Sequence, residues 1–178
     1  MPARFIPSKH FTHGRGGHPV KLIVVHTMEA PESAGRALQV AQWFAGPTAP
    51  QSSVHFCVDN KTIIRCVDEQ DTAWAVDDWG LNQQSISIEH AGFAAQTPPQ
   101  WHDPYSQAML KISAQLVAQL CRRHNVPKVK LSPAEIAAGK SGICGHADIT
   151  AAKHIVGGHT DPGPNFPWAD YMKLVQGS

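Results

Sequence analysis

The chain has 178 residues, enough for one domain with a sizeable core and too few for two independent ones. A hydrophobic content of 42% with 16% charged residues excludes a disordered chain, and 15 Lys plus Arg against 14 Asp plus Glu leaves no field that would gather nucleic acid. Histidine is the outlier at 11, often beside Gly, Asp or Thr, where exposed ligands and proton carriers sit.

Residues 1–20, rich in Gly, Pro and His, read as an irregular N-terminal arm, and His10, His13 and His18 belong to that arm and not to a metal site. The arm lacks the apolar core of a secretory signal. No apolar run reaches the ~20 residues that span a bilayer, so membrane insertion is not expected. "KLIVVHT" (21–27) is a buried strand that ends at His26. "PESAGRALQVAQWFAG" (31–46) places Ala37, Val40, Ala41 and Phe44 at helical spacing and closes on Gly46 and Pro47. "SVHFCVD" and "TIIRCVD" flank Asn60 and Lys61 as a hairpin. In the strand "QSISIEHAGF", Ser85, Ser87 and Glu89 share one face while Ile86, Ile88 and His90 share the other.

A long amphipathic helix is predicted from Asp103 to Asn125, with Met109, Ile112, Leu116, Val117 and Leu120 on one stripe. "SPAEIAAG" carries a capping box, Ser132 with Glu135, for a short helix, and a last helix runs from about Pro167 to Val175. Interleaved strands and helices with a hairpin among them predict an α/β fold: a mixed central β-sheet flanked by α-helices, in a single domain over residues 21–176. The four cysteines show no CxxC and no dense spacing, and are expected as buried free thiols.

The candidate metal ligands are His26, His146 in "GICGHADIT", and His159 and Asp161 in "GGHTDPGPNFPW", with Cys144 and His154 as outsiders. Catalytic zinc takes three protein ligands, typically His and a carboxylate, and leaves a fourth position to water. His146, His159 and Asp161 are read in Gly-rich connections, free to converge with His26 at one rim of the sheet. His159 and Asp161 stand two apart, so an extended segment points both the same way and spacing does not choose between them.

The segments "VVHTM" (24–28), "SSVHF" (52–56), "SISIEHAG" (85–92), "GHADIT" (145–150) and "TDPGPNFPW" (160–168), in that order, resemble the type-2, zinc-dependent N-acetylmuramoyl-L-alanine amidases. That family groups phage endolysins, bacterial amidases that recycle cell-wall fragments, and animal peptidoglycan recognition proteins. The resemblance covers roughly Lys21 to Val175. It implies zinc (Zn2+) on His26, His146 and Asp161, the last standing where some relatives have cysteine. It also implies the glutamate-using branch, with Glu89 catalytic, because Val54 occupies the place where other members carry tyrosine. His159 stands where relatives commonly have lysine, and becomes the group that stabilises the oxyanion.

The implied reaction is hydrolysis of the amide bond between N-acetylmuramic acid and L-alanine, with Glu89 taking and returning the proton. Substrate contacts are assigned to His55, to Trp74 in "TAWAVDDWG" as an aromatic wall, and to Asn82. The expected setting is a monomeric catalytic module of a phage endolysin, kept in the host cytoplasm until it is released onto peptidoglycan. A cytosolic muropeptide-recycling amidase and a non-catalytic peptidoglycan-binding module on the same fold are the alternatives.

Overall fold

The computed structural model describes residues 3–178, so the first two residues of the predicted arm lie outside the described residues. Six strands, β1 (Arg4–Phe5), β2 (Leu22–Thr27), β3 (Phe56–Val58), β4 (Ile63–Arg65), β5 (Ser85–His90) and β6 (Gly142–Gly145), form one sheet in the order β1-β4-β3-β5-β2-β6. The β3–β4 pair is antiparallel and every other pair is parallel, giving the predicted mixed sheet flanked by helices.

The two faces of the sheet are covered by different helices. On one, Ile23 and Val25 of β2 and Ile86 and Ile88 of β5 pack beneath α4 (Pro104–His124), whose Met109, Leu116, Val117 and Leu120 are buried in the same cluster. Each such side chain stabilises the fold by roughly 1.5–3 kcal/mol through its removal from water. The Asp103 carboxylate accepts from Ser106 N–H at 2.8 Å and starts the helix, and Asn125 at φ 55° ends it. On the opposite face, α1 (Arg36–Ala45) buries Ala37, Ala41 and Phe44 against Val54, Cys57, Ile64 and Cys66. Glu89 lies on this second face, away from the isoleucines of its own strand, as alternation requires. The remaining helices are α2 (Trp79–Gln83), α3 (Pro98–Trp101), α5 (Pro133–Ala137), α6 (His146–Ala152) and α7 (Trp168–Gln176). No helix among the described residues is long and apolar enough to cross a membrane.

Three features depart from the sequence reading. The arm is not wholly irregular: β1 pairs in parallel with β4, and Arg15 donates to Glu69 O (2.7 Å), Gln83 O (3.0 Å) and Ser85 O (2.9 Å). One buried guanidinium thus satisfies three main-chain carbonyls and fastens the arm to the sheet. Helix α1 begins at Arg36, not at Pro31, because Gly35 before it sits at φ 79°. And "GICGHADIT" is no connection: it is β6 followed at once by α6. Its first helical turn has no Ser, Thr, Asp or Asn at the cap position, so the usual sequence signal is missing; Asp148 Oδ2 instead reaches back to Gly145 N–H at 2.7 Å.

Two histidines tie the core to pH. Burial, then the Arg15 charge, pulls the His55 imidazole down to about 3, and burial pulls His90 down to about 4. In the unfolded chain both titrate near 6.5, so below that pH the unfolded state binds more protons than the folded one. Their stabilisation is therefore complete above about pH 6.5 and is lost progressively on acidification, by about 3 kcal/mol apiece at pH 4. Urea melts at pH 7 and pH 4.5 check this: the midpoint should fall steeply, and His90→Gln should flatten the fall.

Candidate active site

The strand β2 carries His26 next to its carboxyl end, β5 carries Glu89 at the equivalent place, and α6 opens with His146 directly after β6. Because β5, β2 and β6 are adjacent and parallel, all three groups reach the same edge of the sheet. His26 and Glu89 are register partners across β2 and β5 and so point to the same face. The outgoing helices of these two strands, α1 and α4, lie on opposite faces, which opens a crevice at the strand ends where ligands of open α/β sheets bind.

Asp161 arrives from the far end of the chain. Its backbone carbonyl accepts from Ala147 N–H at 2.8 Å, which ties the loop to the first turn of α6. Two glycines make this approach possible. A Cβ on Gly163, at φ +91°, would lie 1.9 Å from Ala94 O, and one on Gly145 would lie 2.6 Å from Pro162 Cδ. Asp148, which caps α6, also pairs with Lys130 Nζ at 2.7 Å, and that ammonium sits 4.5 Å above the Trp168 ring. The helix start that holds His146 is therefore braced from behind.

His26 Nδ1 stands 3.0 Å from one carboxylate oxygen of Asp161, and His146 Nδ1 stands 3.3 Å from the other. All three residues are buried and their ligand atoms converge. Two ligand atoms at about 2.0–2.1 Å from a tetrahedral zinc are separated by about 3.3 Å, so these spacings fit a zinc ion. Burial pulls the His26 imidazole down, more than Asp161 raises it, which keeps the ring in the neutral form that ligates metal. Burial pushes the Asp161 carboxyl up, but hydrogen bonds from His146 and His26 outweigh it and hold it well below the usual carboxylate range. Two imidazoles and one carboxylate suit zinc and leave room for a fourth, exchangeable ligand.

Glu89 is half-buried and lines the same cavity, of about 240 Å³, together with His26, His146, Asp161, His159 and Trp74. Its Oε2 is shielded from solvent and has no hydrogen-bond partner among the described residues. Burial, then the charges of Asp161 and Glu29, push its carboxyl well above the usual range. The His159 side chain is 60% exposed; its ring stacks on His146 at 4.2 Å, with Nδ1 3.6 Å from Asp161 Oδ1 and Nε2 3.9 Å from Asp77 Oδ2. It overhangs the cluster from the solvent side. A broader groove of about 960 Å³ runs along the other side of the α6 loop, but it contains neither Glu89 nor any of the three clustered ligands.

Trp74 stands in the cavity wall, with its indole N–H donating to Thr12 Oγ1 at 3.0 Å and His10 stacked against it at 5.9 Å. The other two predicted substrate contacts are corrected. His55 is fully buried: Nδ1 accepts from Ser87 N–H (3.1 Å), while Nε2 faces Arg15 Nη2 (2.9 Å) and Asp71 O (3.3 Å), so no ring atom is free for a ligand. Asn82 is buried as well. Its side-chain oxygen accepts from Ala75 and Val76 N–H at 2.9 Å each and its amide donates to Val76 O at 2.7 Å, which fixes the turn beside the cavity. The sequence reading passed over Asp77, which borders the cavity next to His159; "TAWAVDDWG" drew attention only through Trp74.

The sequence profile of the N-acetylmuramoyl-L-alanine amidases matches residues 16–164. An N-acetylmuramoyl-L-alanine amidase A from Achromobacter lyticus is 26% identical over 96% of this chain and 92% of its own. Among solved structures, AmpD superimposes with a TM-score of 0.67 at 24% identity, covering 97% of this chain and 94% of its own. A mutant endolysin from Bacillus subtilis gives 0.64 at 17% identity, covering 98% and 99%. A profile that runs through β2, β5, β6 and the Asp161 loop, on a fold that brings His26, His146, Asp161 and Glu89 to one crevice, makes this chain a member of the N-acetylmuramoyl-L-alanine amidase family, an amide hydrolase of the bacterial cell wall.

Proposed function

We propose that the protein is a zinc-dependent amidase that hydrolyses the bond between N-acetylmuramic acid and L-alanine, with His26, His146 and Asp161 as ligands. The observation that carries this reading is the unpartnered Glu89 Oε2 beside a buried His-His-Asp cluster in one open cavity. When bound, zinc supplies a Lewis acid that polarises the scissile carbonyl and lowers the pKa of water. Glu89 takes a proton from the attacking water and returns it to the departing alanine nitrogen. Its raised proton affinity suits a group that performs both transfers near neutral pH. His159, held over His146, offers a ring N–H to the carbonyl oxygen as negative charge develops. Trp74 gives the sugar or the peptide an aromatic wall.

The setting we favour is lysis of the wall polymer by the catalytic module of a phage endolysin, acting as a monomer. The endolysin likeness extends over nearly the whole of both chains, which supports a module of this size. Cytosolic recycling of soluble muropeptides is the second setting, and the AmpD likeness keeps it in view. The test is release of free L-alanine-terminated peptide from purified sacculi and from soluble muropeptide, with zinc added and after chelation. Zinc-dependent release is expected from both, with the higher kcat/KM on sacculi. No release from either substrate by zinc-loaded protein overturns the enzyme reading, and release from muropeptide alone overturns the lytic setting.

A further inference from the structure

Two of the four cysteines stand together in the apolar cluster under α1, one of them beside Glu89 in the sheet. Cys57 lies in β3 and Cys66 directly after β4, and their sulfurs are 3.7 Å apart. Cys66 N–H donates to His55 O at 2.8 Å, which continues the hairpin past the end of β4 and holds the two residues on a diagonal across it. Both side chains are fully buried in the small apolar cluster under α1, with Ala37, Ala41, Phe44 and Val54. Cys57 is also the register partner of Glu89, so Cys57, Glu89 and His26 form one row across β3, β5 and β2. The other two thiols are in separate places: Cys121 in the α4 core and Cys144 with Leu22 and Val24.

We infer that Cys57 and Cys66 are a disulfide-forming pair, a covalent brace across the hairpin whose β3 pairs with the strand that carries Glu89. The geometry already holds the sulfurs in contact, so closure asks for side-chain rotation and a small approach of two paired strands, not for a rearrangement of the fold. Because the folded pair is fully covered, closure requires an oxidising environment while the hairpin is still open and α1 has not docked. Burial pushes the Cys57 thiol far up, which makes the folded pair a poor nucleophile. With a glutathione-type disulfide as oxidant, one cysteine thiolate attacks a glutathione sulfur and expels the first glutathione thiol, forming a mixed disulfide. The second cysteine then attacks its partner's sulfur and expels the second thiol. Two protein thiols and one oxidised glutathione become one protein disulfide and two reduced glutathiones, so atoms, protons and electrons balance. Once α1 docks, the same dry cluster shields the bond from reductants.

The test uses the full chain and no activity assay, so its failure is distinct from failure of the amidase reading. Reduced, unfolded protein is refolded at oxidising and at reducing ratios of glutathione, then analysed for intact mass, for thiols titrated after denaturation, and by peptide mapping without reduction. Refolding under oxidising conditions should yield protein about 2 Da lighter, two titratable thiols and one Cys57–Cys66 cross-linked peptide. The oxidised form should melt about 5–10 °C above the reduced form, the shift expected for closing so short a loop. Four titratable thiols at every ratio, a cross-link that uses Cys121 or Cys144, or an oxidised form that melts below the reduced one each overturn the inference.

Discussion

Glu89→Gln is expected to lower turnover by about 10²- to 10⁴-fold while the protein keeps its full complement of zinc. Glutamine preserves the size of the side chain but accepts no proton, so the attacking water and the leaving nitrogen both lose their carrier. The same change should leave the fold intact or strengthen it. The wild-type carboxyl is pushed well above its usual range, so at neutral pH its ionised form is disfavoured in the folded metal-free protein relative to the unfolded chain. A neutral amide removes that term, and the metal-free variant should melt at or above the wild-type temperature. Elemental analysis, thermal melts and peptide release together check the prediction. Turnover retained at the wild-type rate with zinc bound removes Glu89 from the mechanism.

That prediction rests on a residue whose position was legible before any fold was known. Alternation in "SISIEH" put Glu89 opposite the isoleucines, and the apolar run before His26 marked a strand that needed a reason for its polar end. Register between strands far apart in sequence is not written in either segment, so the His26–Glu89 pairing emerges only from the sheet. His146 was harder. Its strand has four residues bounded by glycines and its helix has a glycine at the cap, so neither period nor capping signal announces them. His55 and Asn82 show the opposite error. Polar residues near a predicted site look like ligands in sequence, yet His55 satisfies Arg15 and Ser87 from distant segments, and Asn82 satisfies the main chain of its own turn at Ala75 and Val76. The arm hid its role for the same reason, since Arg15 acts through carbonyls contributed by three distant residues.

Asp161→Asn and His159→Ala are expected to part company, and together they decide what spacing alone left open. The Asp161 carboxylate is 9% exposed and stands between the imidazoles of His26 and His146, whereas the His159 side chain is 60% exposed and stands 3.6 Å from Asp161 and 3.9 Å from Asp77. A buried divalent cation held by two imidazole rings needs the anion for charge balance as well as for a bond, and an amide oxygen supplies little of either. Zinc affinity of Asp161→Asn should fall at least about 100-fold, beyond what loss of a neighbouring supporting group costs, and turnover should fall with it. His159→Ala should keep zinc near one equivalent, because the three clustered ligands stay in place, and lose turnover through the oxyanion contact by about 10- to 1,000-fold. His159→Lys should recover part of that loss, since the lysine ammonium can also donate to the developing oxyanion. Competition against a zinc chelator gives the affinities, and peptide release gives the rest. The reverse outcome, zinc lost from His159→Ala and kept by Asp161→Asn, would make His159 the third ligand and leave Asp161 as the partner that orients His26 and His146 by hydrogen bonds from their Nδ1 atoms.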